Sequence, residues 1–490
     1  MIPTEKTKSR FEELMYYFGL PAACILFALL ATMSVPAGLT YSGKMALAVF
    51  TCALILWVSE SLPTYLTALL VLVLLPITGG WDETNVLGVF GYSVIWLMVS
   101  AFIITAGMEK SGIAKRLALW MVSKFGSTAR KILFSLMLVN YGLAFVVPST
   151  TARAAILFPI VLLIAETYQV KEGNRNMGKL LAIQSLQANN ISTSSIVTAT
   201  APQIMAIGFI KDLTGQSVSW TQWFFAAAPV ALLSLVASYF IGLKLFKPEW
   251  NVPSGGSAGG QNGLAKLKEE FQSLGRMKPI EAKALAIFLI TVFLWVSDQW
   301  HLSLFGMKIS LELVAVISAA LFFMPYIGIL SWKETKIPWD LMIFSCGAYA
   351  GGMALDSTGV ASWALNSVFK QLGVEGMSFP VLFAVVIFIA SFSHMLFTSK
   401  TVRTVILIPT IVALAKSAGV NPIALALPAA FTISDSITLP PHCKPNLIFY
   451  STGFFSVLDQ LWYGILVLLV KWGLLCLSSF TLYRFLGMTP

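Results

Sequence analysis

The sequence predicts an all-α polytopic membrane protein with about 11 transmembrane helices and two re-entrant helical hairpins, arranged as an inverted-topology repeat. Three observations carry this reading. Of 490 residues, 57% are hydrophobic and only 11% are charged, whereas soluble domains carry about 25% charged residues. A polar motif recurs half a chain apart: Ser149-Thr150-Thr151, Arg153, Ile156-Leu157 and Pro159 match Ser399-Lys400-Thr401, Arg403, Ile406-Leu407 and Pro409, at 399 − 149 = 250 residues. Two long apolar stretches are also interrupted by polar sequence that no continuous membrane helix would choose.

Taken in order, Met1–Glu13 is polar and charged, so no cleavable signal peptide is expected. Phe18–Ala37, Met45–Ser59, Leu62–Ile77 and Val94–Met108 are apolar spans. Ala114–Phe125 mixes Lys115, Arg116 and Lys124 with Leu117, Leu119, Trp120 and Val122, the pattern of an interfacial amphipathic helix. Ile132–Val147 and Ala154–Ala165 are short arms divided by Pro148-Ser149-Thr150-Thr151, which fits a re-entrant hairpin better than two crossings. Leu180–Phe209 carries Asn189, Asn190 and a run of Ser and Thr at its centre, predicting a broken helix unwound near Thr198–Gln203. Phe224–Phe246 is a further span.

Pro248–Pro279 is rich in Gly and Ser and then in charge, and its Lys and Arg place it in the cytoplasm. Beyond it the plan repeats. Ala284–Val296, Ile309–Tyr326 and Leu341–Leu355 are spans, and Trp363–Leu372 is a second interfacial helix. Val381–Phe397 and Val402–Ala415 flank the second tip, Pro422–Tyr450 is broken at the run from Leu439 to Asn446, and Leu461–Phe485 closes the chain. Two more blocks recur in register: Thr200-Ala201-Pro202-Gln203 with Cys443-Lys444-Pro445-Asn446, and Glu109-Lys110-Ser111-Gly112 with Asp356-Ser357-Thr358-Gly359. An odd number of crossings per half inverts the second copy, and such repeats place a binding site near the midplane at discontinuous helices.

These blocks resemble the divalent anion:sodium symporter family of di- and tricarboxylate and sulfate carriers. Trp57, Glu60, Pro63 and Thr67 are similar to its early W-x-x-E-x-x-P-x-x-x-T pattern, and Val94-Ile95-Trp96-Leu97 to its fourth span. Ala201-Pro202 and Lys444-Pro445-Asn446 sit where the family has P-P-N-like unwound segments. The resemblance implies a homodimer with a fixed scaffold and a transport domain that slides like an elevator. On that plan residues 1–80 are N-terminal scaffold helices. Residues 81–247 form the first repeat, with hairpin 130–168 and broken helix 180–210. Residues 248–282 are a cytoplasmic linker, and 283–337 are scaffold helices. Residues 338–490 complete the second repeat, with hairpin 378–416 and broken helix 422–450. The setting implied is the cytoplasmic membrane of a prokaryote, with the N-terminus in the cytoplasm.

The family's tips read Ser-Asn-Thr, and here both have lost the Asn. The first keeps oxygen donors, so sodium is expected near Ser149, Thr150 and Thr198. The second has Lys400, whose ammonium has three donors and no acceptor. It cannot ligate Na⁺ and can replace its charge. A dianion entering low dielectric must be paired and hydrogen-bonded. Ser149, Thr150, Thr151, Ser399 and Thr401 offer hydroxyls, Lys400 and Lys444 offer charge, and the helix N-termini after each tip offer N–H groups. Thr200, Cys443 and Asn446 line the breaks. Arg153 and Arg403 either face the substrate or brace the tips on Asp435 or backbone carbonyls. Pro202 and His442 are candidate supports, His442 either tuning pH dependence or packing, and His394 reads as structural.

The expected function is secondary transport of a divalent organic anion, such as succinate, malate, 2-oxoglutarate or citrate, with weak Na⁺ dependence or anion exchange. The alternatives are Na⁺-coupled symport of sulfate or a sulfonated acid, and an anion channel. Catalysis is not expected: the sequence has no H-E-x-x-H, no nucleophile elbow and no metal-ligand cluster, and its three His are far apart. No cofactor other than Na⁺ is implied. The net charge of +10 sits in short loops and suits the positive-inside rule rather than nucleic acid. The five Cys show no paired spacing.

Overall fold

The computed structural model describes residues 10–125, 129–168, 170, 175–248, 267–360, 363, 377–397 and 399–490. These residues form helices, with no β-strand among them. Six of the helices are long and apolar enough to cross a bilayer: Leu14–Thr32, Tyr41–Ser59, Glu83–Ser111, Trp220–Phe246, Pro279–Val296 and Val457–Phe485. Shorter apolar helices lie at Thr64–Thr78, Leu311–Phe323, Phe379–Met395 and Pro422–Thr432.

The two halves build matching elements. Ala129–Val146 is followed directly by Thr150–Thr167, and Phe379–Phe392 is followed, after a short turn, by Lys400–Ser417. The second arm of each carries an internal proline, Pro159 or Pro409, which removes a hydrogen bond from the ladder at the same depth. The interrupted helices are Arg175–Thr193 with Ala201–Thr214, and Pro422–Thr432 with Lys444–Tyr450. The helices that follow, Trp220–Phe246 and Val457–Phe480, both start on a capping box, Ser219 with Gln222 and Ser456 with Asp459.

Packing between the halves is reciprocal. Thr64–Thr78 packs on Trp339–Ser357, and its counterpart Leu311–Phe323 packs on Ser93–Ser111. The first contact is close: a Cβ on Gly347 would stand 2.6 Å from Ala68 Cα, so the helices touch backbone to backbone. The second hairpin arms also cross over. Thr150–Thr167 packs on Lys444–Tyr450, and Lys400–Ser417 packs on Ala201–Thr214. Trp220–Phe246 and Val457–Phe480 pack on each other.

Some details differ from the sequence expectation. The first break comes earlier than Thr198–Gln203, at residues 194–200, because Pro202 sits comfortably in the first turn of a new helix. The second break spans 433–443, upstream of the Pro-Pro-His turn as well as at it. Helix Ile113–Phe125 does not spend all its basic residues on an interface. Arg116 is buried and ion-paired to Glu281 at 2.8 Å, while its other nitrogens reach the carbonyls of Gly275 and Leu274. Most of Trp363–Leu372, and residues 249–266 of the linker, lie outside the described residues.

Candidate functional site

Each hairpin tip is a helix N-terminus. Ser149 caps Thr150–Thr167, its Oγ accepting from the Ala152 N–H, and Ser399 caps Lys400–Ser417 by accepting from the Val402 N–H. Both hydroxyl protons remain available to donate. Ser149, Thr150, Thr151, Ser399, Lys400 and Thr401 are all half-buried.

The breaks match in backbone as well. Thr200 precedes the resumed helix at φ −162°, ψ 146°, and Cys443 does so at φ −161°, ψ 156°. Pro202 and Pro445 follow in the first turn of each. Each resumed helix therefore turns its N–H groups toward the break, where an anion is favoured. Thr198 and Thr200 are buried, and Asn446 is fully so.

Two adjacent residues bring the tips together. Asn189 Nδ2 donates to the Thr150 carbonyl at 2.8 Å, and Asn190 Oδ1 accepts from Lys400 Nζ at 2.8 Å. Lys400 also reaches the Ser434 carbonyl at 3.0 Å. Asn190 continues to Asn446 Oδ1 at 3.3 Å, which accepts from the Cys443 thiol at 3.0 Å. Asn446 Nδ2 is held by the Ser436 and Leu439 carbonyls. Lys400, Cys443 and Asn446 thus meet at Asn190, which belongs to the other half.

The two buried arginines act alike. Arg153 donates to Thr193 Oγ1 at 2.6 Å, and Arg403 donates to the carbonyls of Thr432, at 2.9 Å, and Ile433. Thr193 and Thr432 end the first halves of the two broken helices, where a cation is favoured. Both guanidiniums keep donors with no protein partner: Nη1 of Arg153, and Nε and Nη1 of Arg403.

The chemistry of the halves then diverges. On the first side, Asn189 Oδ1 and Gln203 Oε1 are buried oxygens without a hydrogen-bond partner. On the second side stand Lys400 and a buried ion pair, Lys471 with Asp435 at 2.7 Å. Lys471 also reaches Ser194 Oγ in the first break, at 3.2 Å. The sequence reading left out Lys471, Ser434 and Thr193. Lys471 is detectable as the single charge within the apolar run 461–480. Lys444 is exposed at the start of the resumed helix, and His442 is buried beside His394.

A cavity of about 480 Å³ lies apart from the tips. It is lined by Lys211, Glu312, Asp298 and Lys308 among others, and Lys211 is already paired with Glu312 at 2.8 Å. The tips, unlike this cavity, gather donors from both halves.

Comparisons with known proteins bear on the family and the fold. The family model for the sodium:sulfate symporter transmembrane region matches residues 14–489. A membrane protein of Cupriavidus necator is 27% identical over 496 residues, covering 97% of this chain and 94% of that one. Proteins named sodium-dependent dicarboxylate transporter SdcS are 28% identical in Staphylococcus saprophyticus, over 90% of this chain and 86% of that one. In Staphylococcus aureus the identity is 27%, over 92% and 88%. The crystal structure of the Alcanivorax borkumensis YdaH transporter matches at a TM-score of 0.57 and 13% identity, covering 98% of this chain and 99% of that one. That likeness shows a common fold.

Proposed function

The chain belongs to the sodium:sulfate symporter family, the divalent anion:sodium symporters that its motifs resemble, and from that premise we propose that it carries a dicarboxylate dianion, chiefly by anion exchange. It is an integral membrane transporter and not an enzyme. The names of the staphylococcal relatives support a dicarboxylate such as succinate, malate or 2-oxoglutarate over sulfate. Citrate fits the same donors.

One observation carries the exchange reading. Lys400 places an ammonium at the second tip, within hydrogen-bond distance of Asn190 Oδ1 and the Ser434 carbonyl. Those oxygens would otherwise suit Na⁺. A like charge a few Å away at an effective dielectric near 20 costs a sodium ion about 3 kcal/mol or more. The empty site keeps its cations, so the carrier is most nearly neutral when loaded and moves most readily in that state. The substrate lies between the tips, with its carboxylates toward Ser149, Thr151, Ser399 and Thr401, and the free donors of Arg153 and Arg403 behind them. The hairpins and broken helices move as one body against a scaffold of Tyr41–Ser59, Thr64–Thr78, Pro279–Val296 and Leu311–Phe323. Two copies join through that scaffold, with the N-terminus and linker in the cytoplasm.

A second reading, Na⁺-coupled symport, is favoured by the unpartnered oxygens of Asn189 and Gln203 and by the relatives' names. One sodium on the first side, near Ser149, Thr150 and Thr198, is compatible with either. Uptake of labelled succinate into proteoliposomes separates them. Exchange requires internal dicarboxylate and tolerates Na⁺-free buffer; symport requires the sodium gradient and proceeds into empty vesicles.

A further inference from the structure

Two ion pairs join elements that the transport reading sets in motion to elements that it holds still. Lys211, on the resumed first helix Ala201–Thr214, reaches Glu312 of Leu311–Phe323 at 2.8 Å. Ser93 binds both partners: its Oγ accepts from Lys211 Nζ at 2.9 Å and donates to Glu312 Oε1 at 3.2 Å. Lys416, on the second hairpin arm Lys400–Ser417, reaches Asp356 of Trp339–Ser357 at 3.2 Å. Trp339–Ser357 packs on Thr64–Thr78 and Tyr41–Ser59, and Ser93–Ser111 packs on Leu311–Phe323, so both acids and Ser93 stand on the scaffold.

The course of the chain puts both pairs on one face. Trp220–Phe246 starts soon after Lys211 and ends at the linker, and Pro279–Val296 leaves the linker and ends before Glu312. Lys211 and Glu312 therefore lie on the face away from the linker. Leu311–Phe323 leads back toward the linker face and Trp339–Ser357 returns, which carries Asp356, and Lys416 with it, to the face of Glu312. The linker face is held differently. There Arg116–Glu281 and Lys115–Glu270 anchor Ile113–Phe125, the lead into the first hairpin, to the start of Pro279–Val296 and to the linker. Lys110–Glu334 joins scaffold segments, and Lys179–Asp459 ties the first broken helix to Val457–Phe480.

These two pairs are placed to part. Lys211 and Glu312 both line the cavity of about 480 Å³, with Gly208 and Trp220 from one side and Trp295 and Lys308 from the other. They bridge a gap rather than sit in packed core. The side chains of Lys211 and Lys416 are 36% exposed, and that of Asp356 is 32% exposed. On separation these ions regain water, which spares the stranded charge that a fully buried pair leaves behind. Pairs with this much exposure each shift an equilibrium by up to about fivefold. That is enough to bias a carrier between two positions and too little to freeze it.

Resting on the two-body transport reading above, we infer that Lys211–Glu312 and Lys416–Asp356 form a latch on the face away from the linker: paired, they hold the moving body in the position seen here, and both open when it travels to its other position. The latch sets the balance between the two positions and leaves the anion site itself untouched.

The test reads the position of the moving body. In the full-length protein in liposomes, p-acetylphenylalanine replaces Gln216 and Leu304, both exposed, and carries nitroxide labels. Gln216 follows Ala201–Thr214, and Leu304 lies between two scaffold helices, so the label distance, measured by pulsed dipolar spectroscopy, follows the motion. Glu312→Lys with Asp356→Lys turns both attractions into repulsions, and the ratio of a second distance to the first is expected to rise about 30-fold. Adding Lys211→Glu and Lys416→Glu restores both attractions with the charges exchanged, and the wild-type distribution is expected to return. An unchanged distribution in the doubly reversed protein overturns the inference, and so does a change that the fourfold exchange fails to restore. If a charge-reversed chain fails to fold, the labelled parent chain decides. Raising KCl from about 0.05 to about 1 M screens exposed pairs and is expected to populate the second distance; no change overturns the latch. In each of these failures the transport reading stands as long as wild-type vesicles still take up labelled succinate. If they move no dianion, by exchange or by net uptake, the transport reading falls and the latch falls with it.

Discussion

Replacing Lys400 by Asn restores the family's tip residue and removes the ammonium, and the structure sets the size of the effect. Lys400 Nζ has two fixed oxygen partners, Asn190 Oδ1 at 2.8 Å and the Ser434 carbonyl at 3.0 Å, so it is held in place. A unit charge about 5 Å away, at an effective dielectric of about 20, attracts it by roughly 3 kcal/mol. Lys400 is half-buried, so solvent screening reduces this to about 2 kcal/mol. That corresponds to about a 30-fold weaker dicarboxylate affinity in Na⁺-free buffer. The vacated oxygens of Asn190 and Ser434, with the new amide oxygen, then form a neutral site that accepts sodium. We predict that Na⁺ recovers much of the lost affinity in Lys400→Asn and changes wild-type affinity little. Isothermal titration of succinate with and without NaCl measures both, and counterflow in proteoliposomes reports the coupling. Wild-type uptake that requires Na⁺ with a Hill coefficient above one would refute the reasoning, because the ammonium would then not stand in for the ion.

Lys471→Met strands Asp435 as a buried unpaired charge and should cost about 3–5 kcal/mol; thermal unfolding in detergent should show a large fall, and Lys471→Met with Asp435→Asn should recover most of it. Arg403→Met leaves the Thr432 and Ile433 carbonyls without their donor, so it should lower thermal stability by more than it weakens succinate binding; the reverse ranking would put the guanidinium on the substrate. Lys444→Ala should weaken succinate binding at least tenfold more than Lys268→Ala in the linker, since Lys444 starts the helix that resumes after the second break and Lys268 does not; equal affinities would remove Lys444 from the site. Gln203→Leu deletes an unpartnered oxygen on the first side, and any Na⁺ stimulation seen in the wild type should fall with it.

Much of this architecture was legible because it is written in composition and repetition. The tips could be found by aligning Ser149 with Ser399, and they prove to be N-caps in both halves, since Ser before a helix that starts at Thr or Lys is a local signal. The breaks were legible as polar runs, but their edges were not. Pro202 looks like a helix breaker in sequence, yet it sits where a helix starts. Arg153 and Arg403 were visible as equals, and their carbonyl and hydroxyl partners at the ends of Arg175–Thr193 and Pro422–Thr432 were not, because those contacts depend on how the hairpin arm crosses the broken helix. The pairing of Lys471 with Asp435, 36 residues away, is likewise a product of packing. The His394–His442 contact joins 48 residues (442 − 394) through Thr438, a residue with no distinguishing sequence context.

The asymmetry between the halves is itself informative. The backbone repeats closely: Thr200 and Cys443 share their dihedral angles, and the tips share their caps. The register does not. The helix ends Thr193 and Thr432 differ by 239 residues, whereas Thr200 and Cys443 differ by 243, so the second break holds four more residues. That longer break holds Ser434, Asp435 and Ser436, whose groups receive Lys400, Lys471 and Asn446. The capping boxes align Ser219 with Ser456, and on that register Lys471 corresponds to Ser234, a buried serine bonded within its own helix to the Val230 carbonyl. One half has neutral oxygens in the shorter break. The other has two lysines, an aspartate and the longer chain segment that holds them. A duplicated site that began with two equivalent cation positions would reach this state by building the cation into the protein on one side only. Such a carrier retains its positive charge when empty, which is the electrostatic condition that favours returning with an anion over returning without one.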